Sequence, residues 1–201
     1  MPSLAPDLRL VVKETEKLFS LLDSWDSLLP IHRKVLAEII LVRLAIIIEN
    51  FLKSIFSKLS CGADYLDGTA PIILAEQRSS SAAILAMEAF GRKSQRKLKW
   101  NDGREVRRNV EYILDNSDSA VRTIRNYGTL LTEVRYIRNH IVHRNDGTRR
   151  NFKGIVIKYY GAAVPAVTCG TLLLSTRIDP RCLIRTFIAS ARIMARDLTR
   201  G

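Results

Sequence analysis

Six consecutive residues, Arg138-Asn139-His140-Ile141-Val142-His143, bring a guanidinium, a carboxamide and two imidazoles together. A guanidinium holds a phosphate through a forked pair of charged hydrogen bonds. An imidazole carries a proton both ways near neutral pH. Those are the groups that cleavage of an RNA phosphodiester needs where no metal takes part: a cation for the phosphate and a carrier for the proton. The same spacing also admits a purely architectural reading. In it Arg138 edges the core and His143 is a helix-terminal histidine favoured by the dipole.

Other chemistries find less support. His140 and His143 stand three apart, but no aspartate or glutamate joins them and His32 is distant, so no zinc set is expected. The sequence has no GxSxG elbow, no cysteine beside a histidine signature and no glycine-rich phosphate loop. No cofactor is expected.

Composition points to a polyanionic partner. The 201 residues hold 32 Lys plus Arg against 20 Asp plus Glu, a formal charge of +12. Such a field favours nucleic acid or an anionic surface. The positive charge is densest over residues 92–108, with Arg92, Lys93, Arg96, Lys97, Lys99, Arg104, Arg107 and Arg108. This segment reads as a track for RNA phosphates, with Trp100 placed to stack on a base, or else as a solvated loop. Arg144 joins the RNA-contacting set. The three cysteines (Cys61, Cys169, Cys182) form no disulfide framework, which suits a reducing compartment, and the cytoplasm is the expected location. Residues 1–9 carry two prolines and an aspartate and do not read as a signal peptide. The apolar stretch 36–48 is short and interrupted by Glu38 and Arg43, so no membrane span is expected.

The elements that must position the motif follow from periodicity. Helical spacing runs over 8–29, with Pro30 closing it, and over 31–59, apolar nearly all round and therefore the central helix. Residues 61–71 read as a loop, 79–90 as a short helix ended by Gly91, and 107–114 as a helical turn or two. Residues 118–145 read as one long helix, capped by Asn116, Ser117 or Asp118 and ended by Gly147. Over 152–160 the period changes to alternation, which predicts a strand, with a return strand through 172–174. A closing helix follows over 180–198. The expected fold is a single, mainly all-α domain over 1–201: an up-and-down bundle of four to six helices with a small β-hairpin at about 152–175.

A helical wheel sharpens the motif. Arg138 falls roughly 40° from Val134, inside the apolar arc of Val134, Ile137 and Ile141. An arginine there must pair, snorkel or line a cleft. Arg138 and His143 diverge by roughly 140°, so one straight helix cannot aim both at one phosphate. A deformed helix end is one remedy. Two copies meeting about a two-fold axis is the other, and such isologous contacts are the commonest kind.

The string Arg138-Asn139-His140-Ile141-Val142-His143 resembles the signature of HEPN domains: arginine, a polar residue, three residues, histidine. It sits on a late helix of an all-α bundle, as in that family, and the wider string 135–145 is similar to prokaryotic HEPN proteins of defence and toxin–antitoxin systems. The resemblance implies a metal-independent endoribonuclease acting as a homodimer, with a cognate antitoxin or defence-system protein as a possible partner. It assigns Arg138 to the scissile phosphate, Asn139 to orientation of the histidine or substrate, and His143 to acid–base work. Arg135 and His140 form an overlapping pair at the same offset and are assigned supporting roles. The products would be a 2′,3′-cyclic phosphate and a 5′-hydroxyl. The competing expectations are a HEPN-like module that binds RNA or a nucleotide without cutting, and a subunit that docks on an acidic partner.

Overall fold

Apolar residues recur every three to four positions along most of the chain, and helices form where they do. In the computed structural model, which describes residues 2–89, 99–177 and 179–201, nine α-helices were found among the described residues. Helix α1 (Ala5–Asp23) is followed by a single 3-10 turn, Trp25–Ser27. Pro30 opens α2 (Pro30–Leu59) rather than merely closing the segment before it. Proline is well placed there, because its missing N–H is one that no helix satisfies at that position. Helix α3 (Ser80–Ala89) comes next, and then α4 (Gly103–Val110) and α5 (Ser119–Asn126), whose N-termini are capped by the carboxylates of Asp102 and Asp118.

The expected long helix over 118–145 is two helices. Helix α5 stops at Asn126, and α6 (Gly128–His143) restarts across Tyr127. Gly128 supplies the break, since glycine is the poorest helix former after proline. Helix α6 ends at His143, earlier than Gly147 suggested. Arg144 leaves it in a left-handed conformation (φ 40°), and α7 (Asp146–Tyr160) begins at once. A reciprocal capping box between Asn145 and Thr148 secures that start. Helices α8 (Cys169–Leu173) and α9 (Leu183–Leu198) complete the chain, α9 starting three residues after Pro180.

The β-hairpin expected at 152–175 does not form. Residues 152–160 belong to α7 and 169–173 to α8. The alternation of Ile155, Ile157 and Tyr159 competed with a helical set, Phe152, Ile155 and Val156, and the helical set is the one that is buried. Tertiary burial outweighs the strand preference of the β-branched residues, which is worth less than a kilocalorie or so each. Among the described residues, the sole β pairing is an isolated antiparallel bridge between Ile73 and Leu114.

One continuous apolar core runs through the bundle. Helix α2 is its axis, with 13 of its 30 residues buried, and α1, α3, α6, α8 and α9 pack around it. Buried polar groups are satisfied where they tie distant segments together. The Asp118 carboxylate accepts from the N–H groups of Ala120 (2.9 Å) and Ile72 (2.9 Å) and from the Tyr65 hydroxyl (2.6 Å). Burial and that carboxylate push the Tyr65 hydroxyl pKa upward, so it stays a donor.

Helix α8 sits so close to α2 that its second residue must be glycine. A Cβ on Gly170 would lie 2.7 Å from the Lys34 carbonyl oxygen and 2.8 Å from the Lys34 Cα. Alanine gains about 1 kcal/mol over glycine in a helix, but overpacking against backbone costs about 1–3 kcal/mol. Gly170→Ala should therefore lower the midpoint of urea unfolding, a change read directly in a denaturation series.

Candidate active site

The motif occupies the last turn and a half of α6, and the two overlapping arginine–histidine pairs meet different fates. Arg135 is neutralised: its guanidinium pairs with Asp102, which also caps α4 through the Arg104 and Glu105 N–H groups. His140 is structurally engaged too. Its ring stacks on Phe152, with centroids 4.7 Å apart, and Nδ1 lies 3.4 Å from the Thr148 hydroxyl. Burial, assisted by the nearby positive charges of Arg144 and Arg149, holds its pKa below the ordinary value.

Arg138 and His143 are not engaged in this way. Arg138 is half-buried and has no carboxylate partner among the described residues. Its Nη1 donates to Asn139 Oδ1 at 3.0 Å, and its Nε is buried with no partner among the described residues. A guanidinium held by a neutral amide keeps its full charge for an incoming anion. Asn139 thus orients the arginine, a role adjacent to the one its position in the motif suggested. His143 is exposed and makes no hydrogen bond or ion pair among the described residues. Within one chain Arg138 and His143 do not touch.

Apolar surface flanks Arg138. On the wheel it lies between Ile141 and Val142, at roughly 60° and 40°. Val142 is half exposed, and Ile141 lines a cavity of about 320 Å³ against Val35, Ile39, Val42 and Ile46 of α2. Ile31, Val35 and Ile39 are each at least half exposed, with Ile39 at 59%. The N-terminal half of α2 therefore has one uncovered side, contrary to its expected central place in the bundle.

The basic set is only partly a surface track. Lys99, Arg104 and Arg108 are exposed, whereas Arg107 is half-buried and faces Glu111 at 3.4 Å. Trp100 is 7% exposed and packs in the core, so its ring offers no open face to a base. Arg92, Lys93, Arg96 and Lys97 lie outside the described residues. Arg144 is exposed beside a second cavity, of about 330 Å³, which also takes in His140 and Arg149. The residues that close this cavity from the far side, Thr168 and Cys169, gave no sequence signal: they come from a segment read as part of a hairpin. Burial pushes the Cys169 thiol up to about 12, so it is no thiolate nucleophile near neutral pH. Among the described residues no three or more His, Cys, Asp or Glu side chains converge as a metal-binding group, and no helix is long and apolar enough to cross a membrane.

No family model matches the chain, and neither a curated protein nor a solved structure is significantly similar to it. The site therefore has to be read from its own residues.

The depressed pKa of His140 has a thermodynamic consequence. A histidine whose pKa is lower folded than unfolded binds fewer protons in the native state, so stability falls as pH drops from the ordinary value of about 6.5 toward the folded one. Urea midpoints measured from pH 7.5 to pH 5 in a phosphate-free buffer should decline in the parent protein. The decline should be shallower in His140→Gln.

Proposed function

We propose that this chain is a HEPN-type endoribonuclease that cuts RNA without a metal ion, working as a homodimer and serving as a toxin or antiviral-defence effector. The observation that carries the reading is the Arg138 guanidinium, which has no counter-ion among the described residues. A half-buried charge with no counter-ion is costly unless an anion completes it, and here an amide already orients it. The net charge of +12 draws a polyanion to the protein.

The reaction follows from the groups available. The ribose 2′-oxygen attacks the adjacent phosphorus, the bond to the 5′-oxygen breaks, and a 2′,3′-cyclic phosphate and a 5′-hydroxyl result. Arg138 neutralises the charge that builds on the non-bridging oxygens. A single His143, from the other copy, removes the 2′-proton and delivers that proton to the leaving 5′-oxygen. The divergence of the two side chains on one helix calls for a second copy. The uncovered α2 face, continuous with Ile141, adjoins Arg138 and is the surface on which that copy would dock. Burying large apolar side chains there contributes about 1.5–3 kcal/mol for each one fully removed from water.

Incubation of RNA with the protein in excess chelator should yield cyclic phosphate ends. Arg138→Ala and His143→Ala should each reduce the rate by about 10²–10⁴. Intact RNA with salt-sensitive binding instead identifies a binding module, and full activity in either variant removes that residue from the chemistry.

A shared pocket makes a sharper demand. Co-expressed Arg138→Ala and His143→Ala chains should recover activity that neither has alone, because a mixed pair rebuilds one complete site. Ile39→Arg should give a monomer by light scattering, folded by circular dichroism and without activity. An Ile39→Arg chain that still pairs places the dimer contact elsewhere.

A further inference from the structure

Beside the α2 groove, with which it shares Glu38 and Ile141, the cavity of about 330 Å³ is lined by His140, Arg144, Arg149, Thr168 and Cys169. We propose that this cavity is a phosphate subsite, in which the Arg144 and Arg149 guanidinium groups and the His140 imidazole hold one phosphate group. Under the ribonuclease reading, on which this step alone rests, the phosphate is one that neighbours the scissile phosphate on the same strand.

The charge balance favours an anion. Arg144 has no ion pair among the described residues. Arg149 lies 3.5 Å from Asp146, but that carboxylate is 89% exposed, and such surface pairs are weak and easily exchanged. The one acid in the cavity, Glu38, already accepts the Gly170 N–H at 2.8 Å. The Cys169 thiol is neutral near pH 7, so it adds no negative charge. His140 cannot swing away, because its ring is stacked on Phe152 and its Nδ1 lies near Thr148. Phosphate is an anion whose geometry forked guanidinium groups match.

Backbone geometry agrees. Arg144 and Ala166, which both line the cavity, hold φ values of 40° and 65° without being glycine. Such conformations are strained and persist where surrounding structure enforces them, often at ligand sites. His143 lies roughly 60° from His140 on the wheel. A strand running past His143 therefore reaches the cavity next.

The facing charges predict a linkage. Glu38 from α2, Arg144, Arg149 from α7 and the neutral Cys169 from α8 surround the His140 ring. A bound phosphate offsets the two cations, so its binding should raise the His140 pKa toward and above the ordinary value.

The test follows the His140 ring resonances by NMR, assigned with His140→Gln, at constant ionic strength. The probes are inorganic phosphate, adenosine 5′-monophosphate and a 2′-O-methyl RNA hexamer, which has no 2′-hydroxyl and cannot be cut. Saturable movement of the His140 signals and a raised His140 pKa are expected with phosphate. Arg144→Gln/Arg149→Gln should weaken binding at least tenfold, and Lys13→Ala/Lys53→Ala, two exposed cations elsewhere, should not. Tighter binding of the hexamer than of the mononucleotide marks an RNA strand as the source, and equal binding marks a free nucleotide; either supports the subsite. Unmoved His140 signals, or equal affinity in the Arg144/Arg149 double variant, overturn it. Cleavage of unmodified RNA is measured separately, so either result stands without the other.

Discussion

The structure depends on keeping α2 out of water. Its apolar run is too long for one face of a surface helix, so the chain wraps other helices around it. Helices α1, α3, α6, α8 and α9 all pack against it. The close seat of Gly170 on Lys34 is one consequence, since a five-residue helix can cover α2 there only by backbone contact. The uncovered stripe of Ile31, Val35 and Ile39 is another. Covering it would take a further element, and the chain supplies none among its described residues.

Helix α6 inherits its geometry from that arrangement. It is fastened on one flank by Arg135 to Asp102 and on another by Glu133 to Lys158 and Tyr159 of α7. The bond from the Tyr159 hydroxyl to Glu133 is 2.7 Å long, and burial with that carboxylate pushes the hydroxyl pKa upward. These ties consume the charges nearest the middle of the helix. The last turn makes no ion pair among the described residues, is held to α7 by the His140 stack on Phe152, and ends abruptly at Arg144. The side chains left uncommitted, Arg138 and His143, are those whose chemistry is most useful when uncommitted.

The legibility of the chain varied with how local each determinant was. Helices set by long apolar periods were readable, α2 and α9 to within a few residues, whereas α1 stops at Asp23, short of Leu29. The reading of 152–160 failed because β-branched residues occupy a segment whose partners, Glu133 and His140, arrive from α6. Periodicity within nine residues could not weigh that contact. The break at Tyr127 was missed for a similar reason: the Tyr127 hydroxyl bonds Asp197 of α9 at 2.6 Å, which anchors the junction from far along the chain. Trp100 was assigned to a base by its basic neighbours, yet it is buried. Charge density around an aromatic ring does not reveal which way the ring faces. The pairing of Arg135 with Asp102 was likewise invisible, because α4 and α6 are more than twenty residues apart at that point.

That pairing sets apart two registers that sequence spacing alone leaves equal. Arg135 with His140 and Arg138 with His143 share the same offset, so no count along the chain separates them. Asp102 cancels the first arginine, and the stack on Phe152 fixes the first histidine in place. What remains is an arginine oriented by an amide and a histidine open to solvent, set apart on one helix and flanked by apolar side chains. The first pair is not idle under this division. Arg135 holds α4, with its exposed Arg104 and Arg108, against one side of α6, and His140 belongs to the basic cavity on the other. Positive charge thus lies on both sides of the uncommitted pair, which is the distribution a strand needs if it is to cross the helix rather than merely touch it.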